Sequence, residues 1–404
     1  MKPLALASAL APAALALSAL AAPLAAQTKW TVDDNGPADF ASVQVAIDTV
    51  AAGDVLLIKP GSYGAVVVHK SMTLLGSPTA ARPSFASLDF LNIERFDALH
   101  LETQALAVTN VSAHSLLDDC IATTTETRFD NCADVAIANS RFEPASQDVQ
   151  GLNALSFANC GYVQIVNSTV LGGPGLGSMI VFAGGIGGAG IALDQTQLLL
   201  VSSTVRGGAG QTLVLIPPFP GKGGDALVVG AGSSAEVRGS SFDLLAGGQN
   251  NVGQPSAGTA FAIRAQNGGT AVTSGVTATG GFNGPVTSVA ARPYLEWSGA
   301  GGPGSSRQLT LYGPSASVGV LLLATDAFLD KGFAATYGAP LLVHPGTIFL
   351  TAGVAVLGQN SGNGPTYGIP AGNSLAGVSF FAQAAVLNGS TISATNGAEV
   401  ILSF

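Results

Sequence analysis

The sequence predicts an all-β fold, a solenoid of parallel strands stacked coil upon coil, followed by a smaller all-β region. Three observations carry this. A fourteen-residue stretch occurs twice, its apolar skeleton recurs elsewhere, and the C-terminal part turns to short strands without that skeleton. The two copies, FDNCADVAIANSRF at 129–142 and FANCGYVQIVNSTV at 157–170, are 28 residues apart and share seven of their fourteen residues.

The skeleton is Phe129, Val135, Ile137 and Phe142. Its spacing also fits Ile93, Leu99, Leu101 and Leu106, then Phe157, Val163, Ile165 and Val170, then Ala192, Leu198, Leu200 and Val205, then Val229, Ala235, Val237 and Phe242, with a weaker copy at Ala271 and Val276. Successive full copies lie 36, 28, 35 and 37 residues apart. Two apolar residues separated by one position share a strand face, and the later member follows a turn into another inward-facing strand. One coil cannot bury that face alone, whereas coils stacked about 4.8 Å apart share a continuous core. The variable spacing places loops of variable length on one flank: LGGPGLGSMIVFAGGIGGAG, RGGAGQTLVLIPPFPGKGGD and AGGQNNVGQPSAGT. Loops on one side of a solenoid are where binding surfaces are often built.

Residues 42–52 change period. Val43, Ala46, Ile47 and Val50 follow helical spacing, with Ser42 as N-cap and Gly53 as the stop, so this stretch reads as a short helix capping the open end of the first coil.

The run Asp39-Phe40, Ser42-Val43-Gln44, Ala46-Ile47-Asp48, Gly53-Asp54, Ile58, Pro60-Gly61 and Tyr63 resembles the start of pectin-lyase-like proteins. With the coils that follow, the resemblance covers residues 27–290 and implies a right-handed parallel β-helix of three sheets around a dry core. That family includes pectate lyases, polygalacturonases, pectin methylesterases and alginate epimerases beside many secreted repeats without known activity. None of its catalytic sets carries over. The sequence has no Gly-His-Gly or Arg-x-Lys triplet, and Lys is absent after position 70 except at Lys222 and Lys331. Fold alone does not license function.

Composition excludes other classes. Charged residues make up 10% of the chain, and a net charge of −9 with only 15 Lys and Arg, nowhere clustered, argues against nucleic acid. Residues 1–26, with Lys2 ahead of a long Ala/Leu segment and small residues ending near Ala26, read as a secretory signal peptide. The expected mature chain is then secreted or held at the cell surface, with no transmembrane segment. Three cysteines cannot all pair. Cys132 and Cys160 occupy equivalent coil positions and are expected as buried thiols. The four histidines lack the paired spacing of a metal site. GKGGDAL at 221–227 matches the calcium-binding nonapeptide pattern but occurs once, and calcium in such rolls lies between successive repeats. The expectation is therefore no metal and no cofactor, with calcium the minor alternative.

Residues 89–148 hold eleven Asp/Glu and three Arg. If Leu99 and Leu101 face inward, His100 and Glu102 face outward, and later coils add Asp134, Tyr162 and Gln164 to the same rows. Carboxylates, an imidazole and an aromatic ring on a flat sheet suit a sugar, and a glycosidase would further need two carboxyls roughly 5 to 9.5 Å apart. Asn131 with Asn159, and Asn139 with Asn167, repeat at turn positions. They are expected to stack as structural ladders, since Asn tolerates the left-handed conformation of tight corners.

Beyond about 290 the skeleton fades. Residues 300–404 read as a small β-sandwich-like domain, short strands parted by Gly, Pro and Asn, with further irregular coils as the alternative. Its ending, SLAGVSFFAQAAVL followed by SATNGAEVIL, is similar to a module that closes many secreted bacterial proteins. The functional expectation is a non-catalytic β-helix that binds polysaccharide or a cell-surface partner. A polysaccharide lyase or glycoside hydrolase is the alternative, and a structural component of the cell envelope the second alternative.

Overall fold

The computed structural model describes residues 27–77, 81–145, 149–178, 183–213, 221–239, 244–246, 260–298, 306–314, 317–324, 327–330, 341–343, 348–356, 365–368 and 379–401. The expected signal peptide lies outside these residues, as do the tips of the first two glycine-rich loops and all of the third beyond Ala246.

Twenty-five strands join in parallel into one continuous hydrogen-bonded assembly, a parallel β-helix. Three sheets run along its length. Sheet 1 contains Asp134–Ala138, Tyr162–Val166, Gln197–Val201, Ser234–Arg238 and Thr270–Ser274 in successive coils. Sheet 2 contains Thr127–Asp130, Leu155–Ala158, Ile191–Asp194, Leu227–Val229 and Ile263–Ala265. Sheet 3 is narrower, with Glu102–Thr103, Ile121–Ala122, Arg141–Phe142, Thr169–Leu171 and Thr204–Arg206. In the early coils the long strands Ser84–Leu99 and Leu106–Asp118 bend across sheets 2 and 1.

One apolar core fills the solenoid from the capping helix to Ala271. The helix spans Val43–Thr49, its N-cap Ser42 accepting from the Val45 amide, and it buries Val43, Ala46 and Ile47 over the end of the stack. Inside, Phe129 stacks on Phe157 with ring centroids 4.9 Å apart, and Phe90 on Phe96 at 3.8 Å. Phe129 and Phe157 belong to neighbouring coils, whereas Phe90 and Phe96 face each other across one coil; a fully buried Phe contributes roughly 1.5–3 kcal/mol.

Corners are made by single residues of positive φ. His100, Asp119, Asn139, Asn167 and Ser202 turn the chain from sheet 1 towards sheet 3. Asn92, Asn110, Asn131, Asn159 and Gln195 turn it from sheet 2 into sheet 1. Asn, Asp and His are the side-chain-bearing residues most tolerant of that conformation. Asn167 Nδ2 donates to Asn139 Oδ1 at 2.7 Å, and Asn139 Nδ2 donates to Asp118 Oδ1 at 2.7 Å. At the other corner Asn131 Nδ2 donates to Asn110 Oδ1 at 3.2 Å, and Asn110 Nδ2 to Asn92 Oδ1 at 2.8 Å.

From Asp119 onward a small residue follows each of these corners, and several bond along the stack. The Cys120, Ser140 and Ser168 amides donate to the hydroxyls of Ser140, Ser168 and Ser203. The Cys160 amide likewise donates to Thr196 Oγ1. All three cysteines are free and buried, and burial pushes the Cys120 thiol up to about 12.

The register corrects the sequence reading at two points. Phe96, Ser115 and Val135 are equivalent positions in three successive coils, so the 36 residues between Leu99 and Val135 hold one coil more than the apolar skeleton suggests. The inward residues of the earlier coil are Phe96 and Ala98, and Leu99 faces outward. In the later copy Leu193, not Ala192, aligns with the inward Phe157.

Beyond the solenoid, two antiparallel sheets share an apolar core. Tyr294–Ser298, Ser306–Tyr312 and Thr366–Gly368 form one; Val318–Ala324, Ile348–Val356, Ser379–Asn388, Thr391–Ala394 and Ala398–Ile401 form the other. Leu295, Trp297, Leu309, Leu311, Leu321, Leu323 and Val386 fill the space between them. This is sandwich-like packing of two sheets.

Candidate functional site

The residues expected to bind sugar are not together on one open face. Asp134 pairs in register with Tyr162, and Ala136 with Gln164, so those three side chains share the outer face of sheet 1. That face is covered by the C-terminal sheets, and Asp134, Tyr162 and Gln164 keep only 8, 6 and 7% exposure. His114 Nδ1 lies 2.6 Å from Asp134 Oδ2, and Phe381 meets the His114 ring edge to face at 6.1 Å. Tyr162, Val166, Leu199 and Val201 pack with Tyr294. The buried Arg238 donates from Nη1 to the carbonyls of Pro293 at 2.7 Å and Ala394 at 3.3 Å. The cavity left beside His114, Asp134, Tyr162 and Gln164 measures about 30 Å³. That is room for a water or two, not for a sugar ring.

His100 and Glu102 are elsewhere. The positive φ of 57° at His100 ends the strand and turns the chain. Glu102 therefore belongs to sheet 3, aligned with Ile121. His100 Nδ1 lies 2.6 Å from Asp119 Oδ2, and Arg82 bonds the other carboxylate oxygen. Burial alone would raise the Asp119 carboxyl, but the His100 hydrogen bond and the Arg82 charge outweigh it and hold the group below its ordinary value.

A partly exposed surface with charged residues at its ends is the outer face of sheet 2. Strand alternation puts Phe129 inside and sends Arg128 and Asp130 outward. Register aligns Arg128, Ser156, Ala192, Val228 and Arg264 in one row. Asp130, Ala158 and Asp194 make the adjacent row. Arg128 binds Glu126 Oε2 through Nε at 2.9 Å and Nη2 at 2.7 Å. The other oxygen of Glu126 accepts from Asn153 Nδ2 at 3.0 Å and from the Ser156 hydroxyl. At the far end Arg264 Nε and Nη2 bind the two oxygens of Asp225 at 2.5 and 3.2 Å, and the guanidinium lies 4.9 Å from the Phe261 ring. Four coil steps separate the two arginines, about 19 Å at the usual spacing, and the residues between them are small. Nothing in the sequence skeleton marked this row, because its members are unrepeated.

The described parts of the first two glycine-rich loops border this face as a packed shelf. Gly188 donates its amide to Gly173 O, Gly208 to Gly188 O, and Gly224 to Gly208 O, each at 2.8 Å. A Cβ on Gly187 or Gly207 would fall 1.9 Å from a neighbouring carbonyl oxygen, and one on Gly188, Gly208 or Gly224 at 2.0 Å. None of these glycines has positive φ, so close approach of backbones, not turn geometry, demands them. Among the described residues no cluster of three His, Cys, Asp or Glu side chains could hold a metal ion, and Asp225 of the GKGGDAL stretch is the arginine-bound carboxylate described above. No helix among them is long and apolar enough to cross a membrane.

No family model matches the sequence, and no curated protein matches it. Among solved structures the chain is similar to the enzymatically active domain of tailspike protein 2 of bacteriophage CBA120, at 9% identity and a TM-score of 0.27 over 93% of this chain and 71% of that one. It is also similar to full-length tailspike protein 2 of an Escherichia coli O157:H7 bacteriophage, at 9% identity and a TM-score of 0.25 over 94% and 64%. A likeness this loose carries neither family nor function, and the parallel β-helix stands on the chain's own strand pairing.

Proposed function

We propose that the protein is a non-catalytic β-helix that binds a polysaccharide along the outer face of sheet 2. The observation that carries this reading is the row from Arg128 to Arg264, with an arginine-carboxylate pair at each end and Ser156, Ala192 and Val228 between. A sugar hydroxyl both donates and accepts, and a guanidinium beside a carboxylate offers it both functions. Small side chains keep the floor flat, and a polymer lying along the solenoid axis meets equivalent positions at every coil.

The catalytic alternative has its own motif. Asp130 and Asp194 stand in one row two coil steps apart, about 9.6 Å at the usual spacing. This is just beyond the roughly 6.5–9.5 Å separation of the carboxyls in inverting glycosidases.

The test is retention of the full chain on a panel of immobilised neutral and uronic-acid polysaccharides, with reducing ends and unsaturated products assayed in parallel. Retention without product is the expected result. Turnover abolished by Asp130→Asn would establish the alternative, and failure to bind any polymer would overturn both.

A further inference from the structure

The two ends of the solenoid differ. Helix Val43–Thr49 closes the first coil, whereas the last coil, Thr277–Thr279, Phe282–Asn283 and Val286–Val289, pairs only with the coil before it among the described residues. Phe282 is 40% exposed. Val276, Ala278 and Val286 close the core only partly. Ala271 donates its amide to the Pro285 carbonyl. In a parallel ladder that bond turns the Thr287 amide inward and leaves the Ser288 amide at the open edge.

Natural open edges are normally blunted by charges, above all lysine, or by a covering element. No charge blunts this one, since the chain has no charged residue between Arg264 and Arg292, and among the described residues no further strand pairs with its short strands. Two molecules that each carry a net charge of −9 repel one another over most approaches, and a charge-free end is where that repulsion is weakest. The capping helix leaves no matching open edge at the other end, so the edge that a second copy offers is the same last coil, and a contact between two such ends is self-complementary and closes on itself.

We infer that the open end of the solenoid is the contact between two copies of this chain, which pair edge to edge about a twofold axis. Unpaired amides and carbonyls of one last coil meet those of the other, and Phe282 is covered.

Sedimentation equilibrium of the full chain tests this, beside Phe282→Lys and Thr287→Lys singly and together. A dimer is expected for the native chain and a monomer for the double variant, with an unchanged circular dichroism spectrum establishing that it folds. Hydrogen exchange at the Ser288 amide is expected to slow as protein concentration rises through the dimerisation range. A native monomer, a dimer that survives both lysines, or growth beyond two copies would each overturn the inference. So would a Ser288 amide that exchanges at a rate independent of concentration.

Discussion

Gln164 and Gly397 hold each other at both ends of one amide: Gln164 Nε2 donates to the Gly397 carbonyl at 2.5 Å, and the Gly397 amide donates to Gln164 Oε1 at 3.1 Å. The two residues are 233 positions apart, so this pair fastens the last strands of the chain to the middle of the solenoid. A side chain that reads in sequence as a sugar ligand is thus satisfied by the protein's own backbone. Gln164→Ala leaves the buried Gly397 amide unpaired, at about 1–3 kcal/mol, while the Gly397 carbonyl keeps Asn396 Nδ2 at 2.8 Å. Denaturant unfolding should show that loss, and hydrogen exchange should quicken at Gly397 before it quickens in the coils.

Glycines of the shelf and glycines of the turns should respond differently to alanine. A Cβ on Gly208 meets the Gly173 carbonyl at 2.0 Å, whereas Gly268 has φ of 86° and nothing within 4 Å of its added Cβ. Gly208→Ala is expected to cost more than the 1–3 kcal/mol typical of overpacking, and Gly268→Ala about 1–2 kcal/mol of backbone strain. Equal melting temperatures for the two variants would contradict the packed shelf.

The Asp119 carboxylate ties the stability of the sheet 1 to sheet 3 corner to pH. Its folded value lies below the ordinary one, so the stabilisation is complete above about pH 4 and is lost as pH falls through the folded value. Asp119 is partly exposed, with 36% of its side chain accessible, which keeps the worth of its contacts with His100 and Arg82 to about 1 kcal/mol. Asp119→Asn should lose that amount at pH 7 and converge on the native chain only as pH falls below the folded value. A difference constant with pH would show that the carboxylate charge is not involved.

Phe129 is fully buried and stacked on Phe157. Phe129→Ala is expected to cost about 3–5 kcal/mol, and urea unfolding should report it with little change in far-ultraviolet dichroism. A loss below 1 kcal/mol would mean that the coils do not depend on this stack.

The repeated residues made the solenoid legible. Phe129, Val135, Ile137 and Phe142 face the core, and the parallel β-helix and the antiparallel C-terminal sheets follow the expected fold class. The site was much less legible, for a reason visible at Leu99. Apolar alternation identifies the inner face only where the outer face meets water. On sheet 1 the outer Val55, Leu57, Leu75, Leu99 and Leu116 form a buried cluster of their own. Inner Ala98 carries a weaker apolar signal than outer Leu99, so the skeleton settled on Leu99 and Leu101. His100 then read as a strand residue when it is a corner, and the row containing Asp134, Tyr162 and Gln164 read as open surface when other strands cover it. Contacts over 233 residues leave no local pattern. The glycine-rich loops were visible as loops, but their packing was not, since glycine signals a turn and a close approach alike.

The most direct measurement compares polysaccharide affinity of Arg128→Ala and Arg264→Ala with that of Asp134→Asn, each on the full chain against the polymer that the native protein retains. The account predicts at least a tenfold loss, about 1.4 kcal/mol, for each arginine on the outer face of sheet 2, and unchanged affinity for the covered Asp134. Loss of binding in Asp134→Asn with full affinity in both arginine variants would contradict it.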